Sequence, residues 1–218
     1  MTVSINDIAN SFLLVYAGLF PIINPIGGAP IFLGLTKNCT NDQRSALALR
    51  VTLNCFFLLL GSILIGSYVL EFFGITLPVL RVAGGLVVTA TGWNLLNAGS
   101  EDDDERAAHR PVSTQAFYPL TMPITVGPGS IAVAITLGSQ RPHGALTEKI
   151  AILGAAAFAG LIAMTATIYI CYRFAESTVA VLGEKGTNVL VRLSAFILLC
   201  IGIQILWYGY SALIHPVG

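Results

Sequence analysis

The chain has 218 residues, of which 55% are hydrophobic and only 10% are charged, and its formal net charge is zero. An ordinary soluble domain carries about 25% charged residues, so this composition excludes that class and indicates an integral membrane protein. A chain without excess positive charge is also not expected to bind nucleic acid. The partner expected from composition is the lipid bilayer.

Six apolar segments predict transmembrane helices, because about 20 apolar residues cross a hydrocarbon core about 30 Å thick. Little sequence remains outside them for a soluble domain. The predicted fold class is therefore an all-α polytopic membrane protein with six transmembrane segments. They cover approximately residues 12–35, 51–70, 78–97, 117–137, 150–172 and 189–213.

The loops between these segments differ in their content of basic residues, which are most frequent in loops that stay in the cytoplasm. The first, third and fifth loops are the richest. We therefore expect these loops in the cytoplasm and both termini on the extracytoplasmic side of a bacterial or archaeal cytoplasmic membrane. Their basic residues are Lys37, Arg44, Arg50, Arg106, Arg110, Arg173 and Lys185.

The first predicted span is interrupted by "INPIGGAP", residues 23–30. Proline disrupts a helix interior but fits the first helical position, and asparagine is among the preferred residues just before a helix. Asn24 and Pro25 therefore predict that a second half-helix begins near the middle of the bilayer. Gly27 and Gly28 lack a Cβ atom, so we expect them to let a ligand reach the backbone.

The fourth predicted span repeats this pattern in "MPITVGPGSIAVAITLG", where Gly127 and Pro128 predict another helix start. A helix start exposes unpaired N–H groups and a partial positive charge. Two starts that face one another therefore predict a carboxylate site, with close approach at Gly129 and hydrogen bonds from Asn24, Thr125 and Ser130. The alternative is that the prolines only kink two helices and the glycines only allow close packing.

The acidic segment at residues 100–115 divides the chain into two three-span halves, residues 1–99 and 116–218. Each half opens with a broken span, and the third span of each half begins with an arginine. Because three is an odd number, related halves would form an inverted-topology repeat with discontinuous first and fourth spans, as in many secondary transporters. The alternative is two unrelated halves whose prolines coincide. We interpret the halves as one membrane domain joined by an acidic cytoplasmic loop.

Four polar residues of the spans are candidates for a gate or for the transport path. An arginine near a span end can instead extend to the membrane surface, and a buried amide can instead bond a neighbouring helix. No Asp, Glu or His lies in the centre of a span, so we do not expect proton coupling through a buried acid. We expect no metal site and no cofactor, and coupling to Na⁺ stays open. The four candidates are Arg81, Arg192, Asn94 and Gln204.

The paired motifs "NPIGGAPIF" and "PITVGPGSIAVAITLG", set in six spans of this length, resemble the MarC/SnatA family of bacterial and archaeal membrane proteins. The resemblance covers essentially the whole chain. It implies an inverted-repeat bundle that transports small neutral amino acids such as glycine or alanine. The residues that match the family motifs are Asn24, Pro25, Gly27, Gly28, Pro30, Pro123, Thr125, Gly127, Pro128 and Gly129.

The function expected from these observations is secondary transport of small neutral amino acids, as an exporter or exchanger, by alternating access around two broken helices. The alternatives are a passive pore of the same fold and a membrane protein with a role other than transport. We do not expect an enzyme, because the spans offer Ser130 no base that would activate it. The sequence contains no recognisable pattern that gives the exact substrate, the direction of transport or the oligomeric state. The expected substrate-binding residues are Asn24, Pro25, Gly27, Gly28, Thr125, Gly127, Pro128, Gly129 and Ser130.

Overall fold

The computed structural model describes residues 4–97, 116–140 and 147–215, and the regular structure of these residues is helical. The predicted acidic loop at residues 100–115 lies outside the described residues. The helices are α1 (Ile5–Ile23), α2 (Pro25–Leu35), α3 (Asn41–Phe72), α4 (Leu77–Asn97), α5 (Ala116–Thr125), α6 (Pro128–Ser139), α7 (Thr147–Arg173) and α8 (Ala175–Ile214).

The prediction of an all-helical membrane fold is confirmed. Among the described residues, five helices are long and apolar enough to cross a membrane, and α5 and α6 add a sixth candidate if this bent pair forms one span. The two helices of that pair meet at an angle of 70°. The five single candidates are Ile5–Ile23, Asn41–Phe72, Leu77–Asn97, Ile150–Arg173 and Lys185–Ile214.

The predicted boundaries of the first span, residues 12–35, are wrong. The candidate span is α1 alone, and α2 is a separate apolar helix too short to cross a bilayer by itself. The structure begins α1 earlier because the Ser4 hydroxyl accepts hydrogen bonds from the Asn6 and Asp7 N–H groups, while the Asp7 carboxylate accepts one from the Ser4 N–H. This reciprocal cap lets a helix start among polar residues that hydropathy alone excludes.

The helix α5 is a π-helix, which is wider than an α-helix, and it is irregular. The backbone at Tyr118 and Met122 within it is extended. Its hydrogen bonds reach five residues back: the Thr121 hydroxyl donates to the Ala116 carbonyl at 2.6 Å, and the Thr125 hydroxyl donates to the Leu120 carbonyl at 2.7 Å. The Val126 N–H donates to the Thr121 carbonyl at 2.8 Å. Threonine hydroxyls therefore add to the main-chain bonding just before α6 begins.

The two halves of the chain pack against each other far more than within themselves. The most extensive helix contacts are those of α4 with α8, α1 with α7 and α3 with α6, and each of them joins residues 5–97 to residues 116–214. A buried core lies among α1, α2, α3 and α7. Neither half buries its apolar helix faces without the other.

Four glycines bring α4 and α8 into close contact. A Cβ atom at Gly85 would lie 2.6 Å from the Leu206 nitrogen, and one at Gly202 would lie 2.5 Å from the Thr89 nitrogen. Backbones that approach this closely leave no room for a side chain, as is common where membrane helices pack through small residues. The four glycines are Gly85, Gly92, Gly202 and Gly209.

Candidate functional site

The two motif segments meet at one cavity with a volume of about 130 Å³. Eight of the nine predicted substrate-binding residues line it, and the ninth, Pro25, is buried at the first position of α2. The lining residues of the two segments are Ile22, Ile23, Asn24, Gly27, Gly28, Ile31, Pro123, Ile124, Thr125, Gly127, Pro128, Gly129 and Ser130.

The helix α2 begins at the place that Asn24 and Pro25 predict. Asn24 adopts a left-handed conformation with φ of 49°, one of the few non-glycine residues that tolerates it. Its side-chain oxygen accepts a hydrogen bond from the Gly27 N–H at 3.1 Å, and its carbonyl accepts one from the Gly28 N–H at 2.9 Å. The Asn24 side-chain oxygen therefore caps its own helix with one of its two lone pairs, and the other lone pair and the side-chain amide nitrogen keep hydrogen-bonding capacity for a ligand.

The end of α1 presents carbonyl groups to the same region. Pro25 has no N–H group, so it cannot donate to the Pro21 carbonyl one turn before it. No donor of the described residues forms a hydrogen bond with the carbonyl oxygens of Pro21, Ile22 or Ile23, and Ile22 and Ile23 line the cavity. The carboxyl end of a helix carries a partial negative charge, so this wall of the cavity offers acceptors.

The start of α6 offers the opposite polarity. Gly127 precedes the helix without a side-chain cap, and Pro128 occupies the first position. The Gly127 carbonyl accepts hydrogen bonds from the Ile131 N–H at 3.1 Å and from the Ser130 hydroxyl at 2.9 Å. Within the described part of the chain, the N–H groups of Gly129 and Ser130 have no acceptor. This wall combines free donors with the positive end of a helix.

Protein atoms occupy the place that a Cβ atom would take at three of the motif glycines, although all three line the cavity with their backbone. That these glycines let a ligand reach the backbone stays a prediction. A Cβ atom at Gly28 would lie 2.9 Å from the Tyr172 hydroxyl oxygen. One at Gly27 would lie 2.5 Å from the Asn24 side-chain nitrogen, and one at Gly129 would collide with the Val88 side chain. The missing side chains therefore allow close packing at the wall of the cavity.

Tyr172 of α7 contacts both motif segments, and the sequence analysis missed it. It is 1% exposed, and its ring stacks on Phe32 of α2 with the ring centroids 4.5 Å apart. Its hydroxyl oxygen lies 2.8 Å from the Thr125 hydroxyl oxygen of α5. No sequence pattern distinguishes this tyrosine from the exposed aromatic residues near other span ends, because its role depends on contacts distant in sequence.

One wall of the cavity comes from α4, which the sequence analysis also missed. Val87, Thr91 and Leu95 line the cavity at intervals of four residues along one face of this helix. Val88 and, from α8, Leu198 complete the wall. The Thr91 hydroxyl donates to the Val87 carbonyl at 2.8 Å and keeps its lone pairs.

The four predicted gate or path residues are not brought to the cavity. Arg81 is half-buried, whereas Arg192, Asn94 and Gln204 are exposed, and none of them lines the cavity. Their side chains therefore lie on outer surfaces of this chain, away from the broken segments.

An arginine holds the other end of α2. Nε of Arg44 donates to the Thr36 hydroxyl oxygen, and Nη2 donates to the carbonyls of Thr36 and Cys39. Nη1 donates to Asn41 at 3.0 Å and forms an ion pair with Glu176 at 2.8 Å. All five guanidinium N–H groups are therefore engaged, which fixes the carboxyl end of α2 to the beginning of α8.

Comparison with known proteins identifies relatives over nearly the whole chain. The profile of a family described as "MarC family integral membrane protein" matches residues 9–214. The "UPF0056 inner membrane protein MarC" of Salmonella typhimurium is 30% identical over 204 residues, which is 90% of this chain and 92% of that relative. The "UPF0056 membrane protein YvbG" of Bacillus subtilis is 30% identical over 209 residues, 93% of this chain and 96% of the relative. No solved structure matches the chain.

Proposed function

Because this chain belongs to the MarC family of integral membrane proteins, we propose that its functional site lies within the membrane and that it is a secondary transporter of small neutral amino acids. We place it in the inner membrane, as in the name of the Salmonella typhimurium relative. The site is the cavity between the end of α1 and the start of α6.

The observation that carries this proposal is the pairing of opposite polarities across one cavity. The free N–H groups of Gly129 and Ser130 suit a carboxylate, and the free carbonyls of Ile22 and Ile23 suit an ammonium group. Broken helices supply substrate sites of this kind in transporters. A zwitterionic amino acid satisfies both poles without a charged protein side chain, and the residues that line the cavity include no charged one.

The volume of the cavity limits the side chain of the substrate. The volume of about 130 Å³ is slightly below the roughly 150 Å³ of an engineered apolar cavity that admits benzene. Alanine has as many non-hydrogen atoms as benzene, and glycine has fewer. We therefore expect glycine, alanine and serine to fit, and leucine or phenylalanine to be excluded unless the wall formed by α4 moves.

The packing of the helices supports an inverted repeat with discontinuous first and fourth spans. In an inverted repeat, α1, α2, α3 and α4 would correspond to α5, α6, α7 and α8 in that order. The contact of α1 with α7 would then correspond to the contact of α5 with α3, and the contact of α2 with α8 would correspond to the contact of α6 with α4. The contacts of α3 with α7 and of α4 with α8 correspond to themselves. All of these contacts are present, as a twofold arrangement requires.

We propose no covalent chemistry at this site. The Ser130 hydroxyl donates to the Gly127 carbonyl, and the residues that line the cavity include no base. The free carbonyls of α1 are also suitable ligands for Na⁺, so dependence on Na⁺ belongs in the test.

The test is exchange of labelled alanine by purified protein in liposomes, with and without Na⁺. A carrier gives saturable uptake that unlabelled alanine inside the liposomes accelerates. Thr91→Phe fills the cavity from α4 and should abolish exchange, whereas Ala90→Phe alters a neighbour on the same helix that does not line the cavity and should not. Uptake that internal substrate fails to accelerate would indicate a pore, and no uptake of any small amino acid under either condition would refute the proposal.

A further inference from the structure

We propose that the cavity opens to one membrane surface only, through a route that follows α4 past Thr91 and Leu95 to the end of that helix. This inference rests on the proposed function, because alternating access requires a site that is open on one side at a time. It goes beyond that function by assigning the open route, the residues that line it and the corresponding route that is closed.

The contact between α4 and α8 shows how the two helices correspond. A Cβ atom at Gly92 would lie 2.6 Å from the Leu199 nitrogen, and one at Gly202 would lie 2.5 Å from the Thr89 nitrogen. These two contacts are equivalent if Gly92 corresponds to Gly202 and Thr89 corresponds to Leu199. The shift along the chain is the same for both pairs, so this register relates each residue of α4 to one residue of α8.

The cavity is symmetric at its centre and asymmetric beyond it. Val88 and Leu198 correspond in this register, both line the cavity, and each is 4% exposed. On α4 the lining continues toward the end of the helix with Thr91, which is exposed, and Leu95, which is half-buried. On α8, Leu198 is the only described residue that lines the cavity. The open space therefore extends along α4 and not along α8.

The two broken segments show the same difference. On α2 the lining reaches Ile31, the seventh residue of the helix, whereas on α6 it ends at Ser130, the third residue. The helices α3 and α4 are both long enough to cross the membrane, so α2 and α4 end at the same surface. The cavity therefore extends from the broken segments toward that surface.

Helix packing closes the opposite direction. The helix α6 contacts α1 and α3 more extensively than α2 contacts the corresponding helices, α5 and α7. Among the described residues, α1 also contacts α8, whereas α5 and α4 form no comparable contact. The two helix starts differ accordingly, since Pro25 is buried and Pro128 is exposed. The helices α1 and α6 thus cover the route along α8, and their counterparts leave the route along α4 open.

The closed route predicts the second state of the carrier. If the two halves exchange their conformations, as inverted repeats allow, Ile201 and Ile205 of α8 take the places that Thr91 and Leu95 have here. The loop that follows α2 is one of those whose basic residues predict a cytoplasmic location. The structure is therefore the state in which the site faces the cytoplasm.

The experiment measures how fast single introduced cysteines react with a small, charged, membrane-impermeant methanethiosulfonate in right-side-out and inside-out membrane vesicles. Asn38→Cys and Thr76→Cys, in the exposed loops before and after α3, mark the two surfaces. Mass spectrometry of the modified peptides separates each introduced cysteine from the four native ones, and thermal unfolding verifies that each variant folds. The test variants are Thr91→Cys, Leu95→Cys, Ile201→Cys and Ile205→Cys.

Thr91→Cys and Leu95→Cys should react from the surface that labels Asn38→Cys, and at least about tenfold more slowly from the other surface, since a minor state is populated to about 10% or less. Their counterparts Ile201→Cys and Ile205→Cys should react at least about tenfold more slowly from either surface. Ala90→Cys is the matched control, because Ala90 is exposed and does not line the cavity. A thiol in lipid does not form the reactive thiolate, so Ala90→Cys should stay unlabelled.

Three results would overturn the inference. Reaction of Thr91→Cys and Ile201→Cys at similar rates would mean a passage open at both ends. Reaction of Thr91→Cys and Leu95→Cys only from the surface of Thr76 would reverse the assignment. Rates no higher than that of Ala90→Cys would mean that the opening faces lipid. Each of these results in a protein that exchanges alanine overturns this inference alone, whereas one-sided labelling without exchange refutes the proposed function and leaves the route in place.

Discussion

Replacing Gly28 by alanine tests the packing of the site, because the effect should reverse when Tyr172 is changed as well. The added Cβ atom would lie 2.9 Å from the Tyr172 hydroxyl oxygen, closer than real Cβ atoms tolerate, and 3.5 Å and 3.7 Å from the Cε1 and Cζ atoms of the ring. In the Tyr172→Phe protein the oxygen is absent. Only the two ring contacts remain, and both distances are ordinary van der Waals separations.

The magnitude follows from three contributions. Overpacking a core costs about 1–3 kcal/mol, and disrupting the bond between Tyr172 and Thr125 costs about 1 kcal/mol more. Alanine in a helix gains about 0.5–1 kcal/mol over glycine. Gly28→Ala should therefore destabilise the wild-type protein by about 1–3 kcal/mol, and it should be neutral or stabilising by up to about 1 kcal/mol in the Tyr172→Phe background.

The assay is a double-mutant cycle on thermal unfolding of the purified protein in detergent, with exchange activity measured in parallel. Gly34→Ala is the control, since Gly34 lies on the same helix and an added Cβ atom there meets nothing within 4 Å. It should stabilise both backgrounds alike. If Gly28→Ala destabilises the protein equally with and without the Tyr172 hydroxyl, the hydroxyl does not occupy the space beside Gly28 and the reasoning is refuted.

Three further changes test other parts of the structure by thermal unfolding. Asn24→Ala should destabilise by about 1 kcal/mol through loss of the helix cap, and Asn24→Gly should cost less because glycine adopts the left-handed conformation freely; equal losses would argue against this geometry. Gly202→Ala should lower stability because its Cβ atom would meet the backbone of α4 at 2.5 Å, whereas Gly61→Ala meets nothing within 4 Å and should not. Arg44→Ala should destabilise more than Glu176→Ala, since Arg44 also binds the end of α2 and Glu176 is 62% exposed; the reverse order would mean that the ion pair, and not the capping of α2, dominates.

Local chemistry explains why some features were predictable. The starts of α2 and α6 follow from proline and its preceding residue, because the missing N–H group and the fixed φ angle act wherever the sequence places them. Composition and hydropathy likewise identified the membrane-crossing helices, because the apolar length of a segment can be determined from that segment alone. The early start of α1 was missed because hydropathy averages over Ser4 and Asp7, whose side chains cap the helix instead of opposing it.

The roles of Tyr172, Gly28 and α4 could not be predicted, because each depends on contacts between residues far apart in sequence. Gly28 resembles a glycine that admits a ligand, and only the position of the Tyr172 hydroxyl reveals that the space is already filled. Val87 and Thr91 look like ordinary residues of an apolar span. Their place at the cavity follows from the packing of α4 against α6, for which a single sequence contains no local signal.

The contacts around the cavity also constrain how a carrier of this fold can rearrange. The helix α2 is fixed to α8 at both ends, through the close approach of Gly27 to Ser194 near the cavity and through the ion pair of Arg44 with Glu176 at the far end. On the opposite side, α6 is packed on α4 where Gly129 meets Val88. Each broken segment is therefore joined to a helix of the other half, and the cavity lies between these two pairs. The pairs meet where glycines bring α4 and α8 together, which is the most extensive helix contact of the described residues. In a carrier of this fold, relative movement of the two pairs where α4 and α8 meet would alter the cavity without breaking the cap of Asn24 or the bonds of Arg44, so we expect those contacts in every state of the proposed transport cycle.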